Sequence, residues 1–144
     1  MDPEEPPPET VSRVEPSFRK HGELVVLSGD NRVKAKLDIE IAESPDELEI
    51  GLMGRSTMNE NQGMLFLFPR EEYRSFWMKN TILPLDMIFI NAEMEIVTIH
   101  VDTTPFSEQS YPSSRPARYV LEVNAGFARD HGLRTGDRVF WQRM

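Results

Sequence analysis

A strict alternation of apolar and charged positions stands out near the start of the chain. At positions 32–41, Arg, Lys, Lys, Asp and Glu alternate with Val, Ala, Leu, Ile and Ile. Period two over ten residues is typical of an antiparallel strand with one buried face. An apolar run at 24–27 and turn-forming residues at 28–31 come before it, so the pattern predicts a β-hairpin.

A helix start follows the hairpin. Ser44, Pro45 and Glu47 have the spacing of a capping box with proline at the first helical position. The helix is predicted to run to about Met53 and to end at Gly54, because glycine is the usual residue at a helix end.

The rest of 24–144 is predicted to be short strands, a second short helix and turns, which makes one mostly β, α+β domain. The second helix is predicted to start at Asn124 and to end near His131. A connection at 102–118 is longer than most structured loops and is therefore a candidate lid or binding loop. The strands are predicted at 64–68, 75–78, 85–90, 94–101 and 119–123, with a last one after the turn at 136–137.

The first 23 residues have a different composition. They contain five of the 11 prolines and hardly an apolar side chain. Such a segment cannot offset its ordering entropy, so a disordered acidic tether is predicted at 1–23. A leader of this kind is what remains when an export signal or a lipid-anchored cysteine is removed, which slightly favours an exported protein over a cytoplasmic one. The alternative is an ordinary ragged terminus.

The charge and hydropathy of the chain argue against two classes of partner, nucleic acids and the membrane interior. The net charge of −8 disfavours a protein that tracks nucleic-acid phosphates, which needs a basic face. No apolar run approaches the 18 or so residues that span a bilayer. A soluble, non-membrane-spanning domain that binds no nucleic acid is therefore expected, with a lipid anchor upstream as one alternative.

Several catalytic signatures are missing from the sequence. There is no cysteine, no Gly-x-Ser-x-Gly elbow and no glycine-rich loop before a helix, so neither thiol chemistry nor a nucleotide cofactor is expected. His100 and Asp102 share a strand face, but no third ligand has a recognisable spacing, and no metal site is predicted. The methionines are interpreted as adaptable core packing, with a groove for copper or a hydrophobic partner as the alternative.

Five motifs follow one another in a fixed order along the chain. They are EIGLMGR at 49–55, GMLFLF at 63–68, FWMKNT at 76–81, PLDMIFI at 84–90 and YVLEVNAG at 119–126. Together they resemble the bacterial and archaeal Domain of Unknown Function 192 (DUF192) family, over roughly 33–139. The resemblance implies a compact, barrel-like antiparallel α+β domain that often follows an export signal or lipid anchor, and it implies no particular activity.

The FWMKNT motif contains the first candidate site residues. In a strand, Trp77 and Lys79 point to the same side, so an indole face and an ammonium group share one surface. Such a pair can hold a sugar, a planar ring or a carboxylate. Asn80 and Thr81 add polar groups as ligand contacts or as a turn cap. The alternative, which the usual burial of large aromatics favours for Trp77 alone, is a core indole beside a solvated lysine.

Three charged residues complete the candidate site. Arg55 is predicted to bind an anionic ligand or to pair with Asp86 or Glu122, which lie in otherwise apolar strands. A carboxylate in a strand usually faces solvent. If both face inward, a cation must keep them charged, and the cluster is then either an acid/base pair or a structural one.

These residues lead to three hypotheses. The first is a small-ligand (sugar or anion) binding or accessory domain of an exported protein, with the 102–118 loop at the mouth of the pocket. The second is a small hydrolase or lyase with Asp86 or Glu122 as general base. The third is a structural or assembly domain without a ligand site. The predicted pocket consists of Arg55, Trp77, Lys79, Asn80, Thr81, Asp86 and Glu122.

Overall fold

The computed structural model describes residues 15–144, which form nine strands and two short helices. The helices are α1 (Pro45–Ile50) and α2 (Phe127–Asp130). The strands are β1 (Gly22–Leu27), β2 (Val33–Ala42), β3 (Gln62–Glu72), β4 (Ser75–Phe76), β5 (Leu85–Ile90), β6 (Ile96–His100), β7 (Tyr111–Pro112), β8 (Ala117–Asn124) and β9 (Arg138–Arg143).

Seven strands form one sheet in the order β6-β5-β8-β3-β2-β1-β9. Its pairs are antiparallel except β2 with β3, which are parallel and are joined by the crossover that contains α1. The two edges approach each other, because the Ile96 N–H donates to the Asp137 carbonyl at 2.9 Å and the Val139 N–H donates to the Met94 carbonyl at 2.8 Å. The sheet therefore curls without closing completely, and the predicted mostly β, barrel-like fold with two short helices is confirmed.

Each face of this curled sheet carries its own hydrophobic core. The inner core takes one set of alternating positions, such as Ile39, Leu65 and Leu121. The outer core takes the other set, such as Phe66 and Val120, and is covered by α1 and by the β4–β7 ribbon. Side chains that alternation alone would assign to solvent are therefore buried on the outer face.

Helix α1 begins as predicted and ends earlier. The Ser44 Oγ accepts from the Glu47 N–H at 3.1 Å, and the Glu47 carboxylate accepts from the Ser44 N–H at 3.0 Å, which completes the capping box. The helix ends at Gly51, whose φ of 50° favours glycine. A Cβ on Gly51 would lie 3.0 Å from the Phe66 ring, so this residue also lets the end of α1 approach the sheet closely.

Strand boundaries differ from the predictions where tertiary contacts decide them. β3 continues through Pro69, which lies in the stretch between Leu67 and Glu72 where the register with β8 shifts and no regular ladder is needed. α2 is capped at Gly126 and not at Asn124. The 102–118 connection contains β7, and Thr103 and Tyr111 within it are buried.

The first strand begins two residues before the predicted Leu24. β1 starts at Gly22, and the His21 backbone and ring bond to Ile39 and Ile41 of β2. The Glu15 carboxylate accepts from the Ser56 N–H and hydroxyl, both at 2.8 Å. Residues 1–14, most of the predicted tether, lie outside the described residues. Within 15–144, no helix has the length and apolar character that a membrane crossing requires.

Candidate functional site

A cavity of about 340 Å³ lies between α1 and the outer face of the sheet, and we call it the α1 cavity. Its volume is within the range of sites for small organic ligands. The wall is mainly apolar and aromatic, with Leu48 and Leu52 on one side and Phe66, Phe68 and Phe76 on the other. The ring of Phe76 packs edge-on against both Phe66 and Phe68, with centroids 5.1 and 6.0 Å apart.

Glu122 lines this apolar cavity from β8. Its neighbours across the sheet are Met64 on β3 and Met87 on β5, and it is only 5% exposed. Among residues 15–144, no hydrogen-bond donor or cation offsets the burial of the carboxyl, so desolvation alone raises its pKa from 4.5 to about 8. At neutral pH the group is therefore mostly a neutral acid.

A second carboxyl on the same face shows the opposite arrangement. Met64 on β3 has two neighbours across the sheet, Glu122 on β8 and Glu40 on β2. Glu40 is 6% exposed. Arg55 binds it with both terminal nitrogens, with Nη1 to Oε2 at 2.5 Å and Nη2 to Oε1 at 3.0 Å. This is the bidentate geometry that a guanidinium makes with a carboxylate. Within residues 15–144, only Glu40 of the two buried carboxyls flanking Met64 has a cation beside it.

The position of Arg55 corrects one expectation. The guanidinium was expected to pair with Asp86 or Glu122 or to join Trp77 and Lys79 in one pocket. It pairs with Glu40 and does not line the α1 cavity. The physical reason is the early end of α1 at Gly51, which brings the following residues over β2.

Trp77 and Lys79 lie on the wall of the α1 cavity and share one surface, although both lie beyond β4, which ends at Phe76 and not at Met78 as predicted. The Trp77 side chain is 47% exposed, which contradicts the alternative of a core indole. The Lys79 Nζ lies 5.1 Å from the centroid of the indole ring, within cation–π distance. Met78 between them is fully buried. An exposed aromatic face and a cation therefore stand beside an apolar cavity.

Asn80 and Thr81 form the turn that follows. Asn80 has a φ of 57°, and its carbonyl accepts from the Gly54 N–H at 3.1 Å. Thr81 is buried, lines the cavity and donates its hydroxyl to the Lys79 carbonyl at 3.1 Å. Thr81 thus belongs to the cavity, whereas Asn80 serves the turn and does not line it.

Asp86 is fully buried away from the α1 cavity. One carboxylate oxygen accepts from the Asp102 N–H at 2.8 Å, and the other accepts from the N–H groups of Gly126 and Ala128 at 3.1 and 2.9 Å. These three bonds tie β5 to the start of the 102–118 connection and to α2. The carboxylate therefore has a structural arrangement, and Asp86 and Glu122 do not form a pair.

We expect Asp86→Asn to destabilise the domain without affecting ligand binding in the α1 cavity. An amide cannot accept three backbone N–H bonds, and leaving buried donors unpaired costs about 1–3 kcal/mol. Urea denaturation of the variant measures the loss. A variant as stable as the parent would contradict this role for the carboxylate.

The remaining candidates are part of the packing. The His100 ring packs edge-on against Phe89 and Tyr111, and its Nε2 lies 2.7 Å from the Pro112 carbonyl. In residues 15–144, no group of three or more His, Asp or Glu side chains is placed to hold a metal ion. From the 102–118 connection, Glu108 and Ser110 line a shallow depression beside Trp77, and no residue of this connection lines the α1 cavity.

The domain that contains this cavity matches a known sequence family over almost its whole length. The sequence model of DUF192, described as "Uncharacterized ACR", matches residues 25–141, which is nearly the whole described domain. The chain belongs to the DUF192 family. All the residues that line the α1 cavity lie within the matched range.

Relatives and solved structures are similar to the chain over most of its length. The UPF0127 proteins of Pyrococcus furiosus and Pyrococcus abyssi are each 27% identical, over 76% and 81% of this chain and 90% and 97% of their own length. A crystal structure of a candidate transcription regulator from Sinorhizobium meliloti is 38% identical, with a TM-score of 0.81, and covers 88% of this chain and 98% of that one. A protein of unknown function from Novosphingobium aromaticivorans is 33% identical, with a TM-score of 0.78, over 83% and 84%.

Sequence reasoning missed two features of the site. Glu40 occupies a charged position in the alternating strand and therefore looks solvent-facing, although α1 and Arg55 cover it. The aromatic wall of Phe66, Phe68 and Phe76 was interpreted only as strand residues. Their spacing in the sequence could have revealed this wall. Met64, Phe66 and Phe68 are each two residues apart, and in a strand such residues face the same side.

Proposed function

We propose that this DUF192 domain binds a small organic molecule in the α1 cavity. One observation carries the proposal, namely an aromatic-walled cavity of about 340 Å³ that contains the carboxyl group of Glu122 without a partner from the described residues. Burial of this carboxyl costs free energy, since desolvation alone raises its pKa to about 8. A ligand that hydrogen-bonds Glu122 would recover that cost.

The walls suggest how the ligand would be held. Its apolar body would contact Phe66, Phe68 and Phe76, and a polar or anionic end would lie near Lys79. The indole of Trp77 offers a face on which a planar ring or a sugar could stack. These contacts support the small-ligand class, including the sugar or anion, that the sequence predicts.

An enzymatic role is the second candidate, and one observation favours it. Glu122 has a pKa of about 8, which is in the range of general acids and bases that work near neutral pH. Asp86 is a poor alternative base because three backbone N–H groups occupy its oxygens. A hydrolase or lyase of this kind would therefore depend on Glu122, with Lys79 as the nearby cation.

Two other roles have less support. A purely structural domain would not need a cavity with a half-exposed tryptophan on its wall. A role in transcription, by analogy with the Sinorhizobium meliloti protein, has less support because the net charge of −8 opposes binding to nucleic acid. Export or a lipid anchor upstream stays a prediction from the leader, of which residues 1–14 lie outside the described part.

A fragment screen by thermal shift tests the proposed function. A ligand present at 100 times its Kd should stabilise the folded protein by about 2.7 kcal/mol, which is readily seen as a rise in Tm. Leu48→Trp, which adds bulk to the cavity wall, should abolish the rise. Arg129→Ala, on a separate cavity next to α2, serves as the matched control and should retain it.

A fluorescence titration provides a second readout. The chain has two tryptophans, so Trp141→Phe leaves Trp77 as the single reporter, on the wall of the cavity. A saturable change in Trp77 emission that follows the thermal shift supports the proposal. Hits that stabilise Leu48→Trp as much as the parent would show that binding occurs elsewhere, and a screen without any hit would overturn the proposed function.

A further inference from the structure

We infer that the ligand of the α1 cavity is an organic amine whose ammonium group pairs with Glu122 among the aromatic rings. The inference rests on the proposed function and names the chemical class of its ligand. Two features support it, namely the different surroundings of the buried carboxyls of Glu122 and Glu40 and the aromatic walls of the cavity.

The comparison is between Glu122 and Glu40. Both carboxyls lie on the outer face of the sheet, one on each side of Met64, and both are at most 6% exposed. The chain provides Glu40 with a guanidinium in bidentate contact, and it provides Glu122 with an open cavity. Without a cation or several donors beside it, a buried carboxyl stays protonated, as Glu122 does, and a cation is what would hold it as a carboxylate. The position that Arg55 fills for Glu40 is therefore left for a ligand at Glu122.

The walls of the cavity suit a cation. Arg74 already lies over the ring of Phe68 at 3.8 Å and Lys79 over that of Trp77 at 5.1 Å, whereas Phe66 and Phe76 have no cation of the described residues over their rings. The faces of aromatic rings attract ammonium groups, so these last two rings are the ones left for a ligand cation. A cation that contacts a ring and pairs with a carboxylate at the same time satisfies both groups. The acidic net charge of −8 would also favour the approach of a cation over that of an anion.

The charged groups that line the cavity are Glu49, Lys79 and Glu122. Lys79 contributes no charge effect to the pKa of Glu122, for which burial is the sole cause. The ammonium of Lys79 lies over the indole of Trp77 instead. The lysine therefore does not neutralise Glu122.

Proton balance gives the inference a distinctive signature. At neutral pH the free Glu122 is mostly a carboxylic acid, because its pKa is about 8. When an ammonium ion binds, the O–H bond of Glu122 breaks and the proton goes to the solvent, which leaves an ammonium–carboxylate pair. Binding of a neutral alcohol or of a carboxylate requires no such release, so only an amine is coupled to proton release.

Isothermal titration calorimetry with three matched probes tests the inference. Phenethylamine, phenethyl alcohol and phenylacetate share a ring and differ in charge. At pH 7, we expect phenethylamine to bind the full chain at least about tenfold more tightly than the other two, on the scale of a charge-assisted hydrogen bond. Repeating the titration in buffers of different ionisation enthalpy should show release of close to one proton.

Substitutions assign the effect to one carboxyl. Glu122→Gln should remove both the preference for the amine and the proton release, while weak binding of phenethyl alcohol persists. Glu93→Gln makes the same change of charge at an exposed residue in the turn before β6, and it should alter neither.

The outcomes separate the two proposals. If the alcohol or phenylacetate binds as tightly as the amine, or if Glu122→Gln keeps the preference, the ammonium class is wrong and the small-ligand function stands. The same holds if the fragment screen yields hits without any preference for amines. If neither the three probes nor the fragment set binds, both the inference and the proposed function fail.

Discussion

Glu122→Gln is expected to stabilise the folded protein at pH 8 and to leave its stability nearly unchanged at pH 5. The folded pKa of Glu122 is raised from 4.5 to about 8, so the folded state holds a proton that the unfolded state releases. Stability therefore falls as pH rises from about 5 to 8, where the unfolded state binds fewer protons. Glutamine resembles the protonated acid, and the variant should be more stable at pH 8 by roughly 3–4 kcal/mol.

Urea denaturation of the parent and the variant across this pH range measures the effect. The difference between their free energies of unfolding should grow steadily with pH, while the exposed control Glu93→Gln follows the parent. A constant difference from pH 5 to pH 8 would mean that the Glu122 carboxyl ionises normally. The conclusion that Glu122 is a protonated acid in the α1 cavity would then be wrong.

Arg55→Met should cause a large loss of stability. It removes the guanidinium from Glu40 and leaves a carboxylate that is 6% exposed without its cation. Breaking one partner of a buried ion pair costs about 3–5 kcal/mol. Chemical denaturation at pH 7 measures the loss, which exceeds the effect expected for an arginine at the surface.

The double variant Glu40→Leu with Arg55→Met is the matched control. Replacing both members of a buried ion pair with apolar residues is often neutral or stabilising, so most of the lost stability should return. Its ligand binding should also be preserved, because neither residue lines the α1 cavity. If the double variant is as unstable as Arg55→Met alone, the pair is not the source of the loss.

Local signals in the sequence predicted much of the fold. Period-two alternation located β2, and the Ser44 and Glu47 spacing located the start of α1. Each of these signals depends on neighbours within a few residues along the chain. Such short-range patterns survive folding because backbone geometry alone determines them.

The partners of the charged side chains could not be predicted in the same way. Glu40 meets Arg55 because α1 crosses over the sheet, and Asp86 meets the amides of Gly126 and Ala128 because α2 folds back towards β5. These contacts join residues 15 to 42 positions apart. The alternation in a strand says which side a carboxylate takes, but it does not say that the outer side is covered.

The most direct test of the account is a titration of the Glu122 carboxyl by carbon-13 NMR in the full chain. The Glu122→Gln spectrum assigns the signal, since only that resonance disappears. We expect a midpoint near the pKa of about 8 that burial in the α1 cavity imposes. A midpoint close to 4.5, the ordinary value for glutamate, would show a solvated or paired carboxylate and would contradict both the site and the ligand proposed for it.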